Sequence, residues 1–74
     1  MTQAEFLEQL DELVELPAGT LKGDEKLEDL EGWNSMSMVG FIALADSNGA
    51  KVAARQIASC ETVSELMAMA GVQG

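Results

Sequence analysis

The sequence predicts an all-α domain: a four-helix bundle with three longer helices, one short helix and a long loop between helices one and two. Three observations carry this expectation. Thr2 followed by Glu5, and Thr62 followed by Glu65, have the spacing of a reciprocal helix N-cap, in which hydroxyl and carboxylate each accept from the other residue's backbone N–H. Apolar residues recur at intervals of three and four in the first and last segments, the period of a helix with one buried face. No segment shows the apolar–polar alternation of a half-buried strand.

The first helix starts at Thr2. Phe6, Leu10, Leu13 and Val14 share one face, with Glu5, Glu8, Asp11, Glu12 and Glu15 elsewhere on the wheel, and Pro17 with Gly19 is the expected stop. Residues 17–34 then form a connection in which Leu21, Leu27, Leu30 and Trp33 are spaced as separate anchors. Loops of that length are uncommon unless functional or pinned by their own apolar side chains. A second helix is expected from Ser35 to Ser47, closed by Asn48-Gly49, residues that tolerate a left-handed helix end. Val52 docks the chain before a short third helix around Ala54 to Ser59, with Ile57 as its main apolar contact. The fourth helix follows Thr62, lines Val63, Leu66, Met67 and Ala70 on one face, and ends near Gly71.

Seventy-four residues with 47% hydrophobic content suit one domain, residues 1–74, and a chain this short buries only about 60% of its unfolded surface. One cysteine and no histidine leave neither a disulfide framework nor a usual zinc site, and they exclude Ser-His catalysis. No nucleophile is paired with a base, so a non-catalytic protein is expected, and a reducing cytoplasm is its natural compartment. The N-terminus is polar and lacks the basic start of a signal peptide. The longest run without a polar side chain, Met38 to Ala45, is far short of the roughly 20 apolar residues that span a bilayer, so no membrane insertion is expected.

The net charge of −9 sets 13 acids against Lys22, Lys26, Lys51 and Arg55. Such a balance argues against nucleic acid or an anionic membrane as the main partner and points to basic protein surfaces. Ten of the acids precede Ser35; only Asp46, Glu61 and Glu65 follow it.

The segment Glu31-Gly32-Trp33-Asn34-Ser35-Met36 marks where an acidic loop gives way to an apolar helix at a serine. Backbone N–H groups without intrahelical partners and the helix macrodipole favour an attached anion there. With Leu27-Glu28-Asp29-Leu30 before it, and Phe41-Ile42-Ala43-Leu44-Ala45-Asp46, Val52, Ile57 and Cys60-Glu61-Thr62-Val63-Ser64-Glu65-Leu66 after it, the chain resembles the acyl carrier protein superfamily over nearly its whole length. Asn34-Ser35-Met36 stands where that family carries Asp-Ser-Leu. The resemblance implies an acyl-carrier-like bundle and a 4′-phosphopantetheine arm, derived from coenzyme A, on Ser35 between Asn34 and Met36. The arm's thiol would hold acyl or aminoacyl groups as thioesters for fatty acid, polyketide or related biosynthetic enzymes.

The implied partners are a phosphopantetheinyl transferase and acyl-activating or acyl-transferring enzymes with basic docking surfaces, met by a monomer. Asn34 replaces the family's aspartate, which helps to engage the transferase and its magnesium ion; Asn34 still caps a helix but brings no charge. Gly40 stands near the position of an acid on the family's second helix, and the aromatic often found near that helix's end is missing at Ser47-Asn48.

From Met36 to Ala45 the only hydrogen-bonding side chain is Ser37, and a helix apolar all round needs a neighbour on every side. Met36, Met38 and Phe41 are therefore expected to supply contact with partners, while Glu28 and Asp29 steer the encounter. Gly40 either permits close approach of a partner or makes room for an acyl chain held between helix two and the last two helices. Ser37 is expected to be a solvated helix residue, Trp33 an anchor over the loop, Met67 a core residue and Cys60 a buried, inert thiol. The alternative from another class is an unmodified interaction module that keeps the carrier fold and docks through helix two.

Overall fold

Thr2 opens the first helix because it satisfies N–H groups that the helix cannot. In the computed structural model, which describes residues 1–72, its hydroxyl accepts from the backbone N–H of Glu5 at 3.1 Å and the Glu5 carboxylate accepts from the N–H of Thr2 at 3.0 Å. Hydrogen bonding of its carboxyl to Thr2, first to the backbone N–H and then to the side-chain hydroxyl, holds Glu5 below the usual carboxylate range. Helix α1 spans Gln3–Leu13, α2 spans Ser35–Ser47, α3 spans Ala54–Ala58 and α4 spans Val63–Met69. A single 3-10 turn, Leu27–Asp29, interrupts the long connection, and no strand occurs among the described residues. The fold is thus all-α. With seven residues α4 is nearer in length to α3 than to α1, so two helices are long and two short, not three and one.

Three helices end in the same way. After α1, α2 and α4 the residue past the cap takes positive φ: Glu15 (60°), Gly49 (86°) and Gly71 (78°). In each case the next N–H reaches back five residues, Leu16 to Asp11 (2.8 Å), Ala50 to Ala45 (2.9 Å) and Val72 to Met67 (3.1 Å), which is the Schellman arrangement. Gly49 and Gly71 bring the low-cost residue for that backbone. Glu15 does not, and α1 still stops there, ahead of Pro17. A left-handed non-glycine residue costs about 1–2 kcal/mol, which burial of Val14 and packing of Leu16 on the core offset.

The core gathers Phe6 and Leu10 of α1, Phe41, Leu44 and Ala45 of α2, Ile57 of α3, and Val63, Leu66 and Met67 of α4. Phe41 sits between two other aromatics: Phe6 meets it edge-on at 6.1 Å and 88°, and Trp33 at 6.2 Å and 71°. Such pairs contribute about 0.5–1.5 kcal/mol each beyond burial. Trp33 is the expected loop anchor, half-covered against the core, and Leu21 and Leu27 are buried in that core. Asn48 ties α2 to the end of α4 by donating from Nδ2 to the carbonyl of Ala70 at 3.0 Å.

Asp11 overturns its place on the polar face. It is 1% exposed, and its two oxygens accept from the backbone N–H of Gly19 (3.0 Å) and of Leu21 (3.0 Å). A carboxylate in a core is tolerable only with such donors; here it clamps the start of the long loop to α1. The loop's middle is knit to the start of α4. Leu27 N–H donates to Glu61 O (2.8 Å), Val63 N–H to Glu25 O (3.1 Å) and Ser64 N–H to Gly23 O (2.8 Å), an antiparallel pairing too short to be a strand. The loop's end passes so near α1 that a Cβ on Gly32 would strike the backbone carbonyl of Val14.

Candidate functional site

Asn34, Ser35 and Ser37 divide the work at the N-terminus of α2. Asn34 is the N-cap, its Oδ1 accepting from the N–H of Met36 (2.9 Å) and of Ser37 (3.2 Å). Ser37 closes the reciprocal half: its Oγ accepts from the N–H of Asn34 (2.7 Å) and donates to the carbonyl of Gly32 (2.7 Å). Ser37 is 3% exposed, so it is a buried cap residue and not a solvated one. Its burial follows from position, since the third residue of the helix folds back under the incoming loop.

Ser35 has no part in this cap. It is the first residue of α2 and exposed, and its hydroxyl makes no hydrogen bond to another described residue. Of the four N–H groups that a helix start leaves open, those of Asn34, Met36 and Ser37 are satisfied locally. That of Ser35 alone remains for solvent or an attached group. The common reason for a serine here, helix capping, is met by Asn34. Beside this end lies a depression of about 530 Å³ lined by Glu15, Asp29, Glu31 and Asn34 among others. A phosphodiester on Ser35 fits: the oxygen is accessible, the positive end of the helix macrodipole lies behind it, and attachment disturbs no hydrogen bond.

The other expected site residues separate. Met36 is 84% exposed beside Ser35, whereas Met38 is half-buried and packs on the core. Phe41 is 0% exposed and cannot touch a partner, because the edge-on contacts with Phe6 and Trp33 enclose its ring. Val39, 66% exposed, takes the outward place that Phe41 was expected to hold. Its position three residues after Met36 and four before Ala43 is a signal that a helical wheel centred on Gly40 would have found. Glu28 and Asp29 are both exposed on the 3-10 turn but face different surroundings: Asp29 shares the depression next to Asn34, and Glu28 shares one of about 210 Å³ with Lys26, Cys60 and Glu61.

Gly40 points at α1. A Cβ built there would lie 2.5 Å from Leu13 Cδ2, so the glycine lets α1 and α2 approach. The nearest atoms that a side chain there would meet all belong to Leu13 of α1. Cys60 is half-buried, not fully enclosed. Burial, with a smaller contribution from the Glu65 carboxylate, pushes its thiol up, which keeps it protonated and a poor nucleophile at neutral pH. No group of acids, cysteines or histidines among the described residues is arranged to hold a metal ion, and no helix among them is long and apolar enough to cross a membrane. No protein-family model, curated protein or solved structure matches this chain.

Proposed function

We propose that this chain is an acyl carrier: it bears a 4′-phosphopantetheine arm on Ser35, holds an acyl or aminoacyl group on the arm's thiol as a thioester, and presents it to biosynthetic enzymes. The observation that carries this reading is the division of labour at the start of α2, where Asn34 and Ser37 do all the capping and leave Ser35 exposed. When bound, the arm supplies a reactive thiol on a flexible tether. The chain's own residues do the rest. Ser35 Oγ is the attachment point, its free N–H and the helix dipole face the phosphodiester, and exposed Met36 flanks it. Tethering gives the cargo a high effective concentration at each docked enzyme. Asp29, Glu31 and Glu15 around the depression supply negative potential for a basic transferase or acyl-handling enzyme, as does Glu28 nearby. Asn34 contributes no charge to that field.

The test is intact mass after incubation with coenzyme A and a set of broad-specificity phosphopantetheinyl transferases. The expected result is a gain of one phosphopantetheine group, lost in Ser35→Ala and kept in Ser37→Ala, with circular dichroism confirming that both variants are helical. An unchanged mass with every transferase, and in protein from the native host, overturns the carrier reading in favour of an unmodified module that docks through α2. A gain that survives Ser35→Ala overturns the site.

A further inference from the structure

We infer that Met36 is a peroxide-sensitive modification site: oxidation of its thioether to the sulfoxide slows attachment of the arm at Ser35, and enzymatic reduction of the sulfoxide restores it. The consequence rests on the carrier reading, whereas the selectivity of the chemistry does not. Five methionines occur in the chain, and the fold treats them differently. Met67 lies in the core, and Met38 and Met69 are half-buried against it. Met1, 41% exposed, precedes α1, whereas Met36, 84% exposed, is the second residue of α2 and directly follows Ser35. An oxidant must reach the sulfur, so the residue most open to it stands beside the attachment oxygen. Cys60 competes poorly, because its thiol stays protonated and the thiolate is the reactive form.

The step is an oxygen transfer. A sulfur lone pair attacks one oxygen of hydrogen peroxide, the O–O bond breaks as the S–O bond forms, and water leaves; sulfur loses two electrons and the peroxide gains them. In the reverse step a reductase passes the sulfoxide oxygen to water while a dithiol becomes a disulfide. The fold is indifferent to the change, since the side chain is exposed and the backbone N–H of Met36 stays bound to Asn34 Oδ1 at 2.9 Å. The start of α2 is not indifferent. Helical side chains lean toward the N-terminus, so the added oxygen comes to the end where the N–H of Ser35 alone is open and the macrodipole favours the phosphodiester. There the sulfoxide oxygen competes for that donor and sets a partial negative charge beside the incoming anion. It also turns an apolar neighbour of Ser35 into a polar one that must be desolvated when the transferase closes on the serine.

The test treats the full chain with hydrogen peroxide until intact mass shows about one added oxygen per molecule, then offers treated and untreated protein to the broad-specificity transferases with coenzyme A. Peptide mapping should place more oxygen on Met36 than on Met1, and about fivefold or more above the level on each of Met38, Met67 and Met69. The initial rate of Ser35 modification should fall by about fivefold or more, as loss of one central contact does. Methionine sulfoxide reductases with dithiothreitol should restore the rate, whereas dithiothreitol alone, which reverses disulfides and sulfenic acids, should not. In Met36→Leu, whatever its own rate, treated and untreated protein should be modified equally fast. Thermal melts confirm that oxidised and variant proteins are folded. Oxygen placed mainly on another methionine, equal rates before and after treatment, recovery with dithiothreitol alone, or slowing that persists in Met36→Leu overturns the proposal. Failure to modify even the untreated protein overturns the carrier reading and this consequence with it, an outcome that the untreated control distinguishes from failure of the switch alone.

Discussion

Helices α1 and α2 each send a phenylalanine to the centre of the core, where Phe6 and Phe41 meet edge-on, yet their remaining surfaces are opposites. On α1 the buried residues Phe6 and Leu10 alternate with exposed acids at helical spacing, so its own pattern decides which way it faces. On α2 every side chain from Val39 to Ala45 is apolar, and the pattern permits several orientations. The neighbours decide among them: Phe41, Leu44 and Ala45 go in, Met36 and Val39 stay out. The difference teaches that an amphipathic helix carries its own address, whereas a uniformly apolar helix receives one from what packs against it and is left with an apolar surface to spare.

The strongest way to break this comparison is to truncate the two faces of α2. Phe41→Ala should destabilise the domain by about 3–5 kcal/mol, the usual cost of emptying a buried aromatic site, and Phe6→Ala by a similar amount. Met36→Ala should stay within about 0.5 kcal/mol of the parent, as exposed substitutions do. Denaturant unfolding checks all three; comparable losses at Met36 and Phe41 would mean that α2 is rotated about its axis.

A smaller effect tests the one exception on α1, its buried acid. Asp11→Asn keeps one acceptor oxygen but turns an amide donor toward the N–H of Gly19 or Leu21, and should cost about 1–3 kcal/mol. Hydrogen exchange at Gly19 and Leu21 should accelerate more than at Phe41. Uniform acceleration would show that Asp11 stabilises the whole core and not the loop clamp.

Smaller still is the expected outcome at the contact between the two helices. In Gly40→Ala the new methyl must displace Leu13 Cδ2, the end of a half-buried and movable side chain, while the helix gains about 1 kcal/mol of propensity. The two nearly cancel, and the melting temperature should shift by only a few degrees, in the range of about 4–8 °C per kcal/mol for domains of this size. A large loss of stability would show that Leu13 has nowhere to go.

The smallest effect concerns acid. Partial burial raises the Glu25 carboxyl, but hydrogen bonds from the backbone N–H groups of Gly23 and Lys22 outweigh it and leave the group below its ordinary value of 4.5. A folded-state value below the unfolded one means that the stabilisation is fully present above the unfolded value and is lost as pH falls through the folded one. Glu25→Gln should therefore flatten the loss of stability below about pH 4.5 while leaving the slope near pH 7 unchanged. An unaltered acid limb would assign that loss to other carboxylates.

Much of the local structure was legible in the residues themselves. The cap at Thr2, the bounds of α2, the short helix carrying Ile57, the left-handed ends at Gly49 and Gly71 and the anchors Leu21, Leu27 and Trp33 all stand where the sequence places them. At Thr62 the hydroxyl caps Glu65 as expected, but the Glu65 carboxylate reaches the N–H of Glu61 instead of Thr62. At the candidate site the exposure of Ser35 and Met36 agrees with expectation. The burial of Phe41 and Ser37 does not, because both depend on where the loop and α1 come to rest.

The sequence by itself therefore determined what is settled within about one helical turn: where helices begin, which glycines end them, and which apolar residues pin a loop. Those choices depend on hydrogen bonds between residues three to five apart, and their partners are written next to them. Only the tertiary structure decided the rotation of α2, the inward turn of Asp11, the left-handed Glu15 at the end of α1 and the facing of Gly40 toward Leu13. Each of these trades a local cost or a local indifference against contacts with residues far along the chain. Burial of the whole core is worth more than any one such cost, so the answer appears only when all four helices are in place.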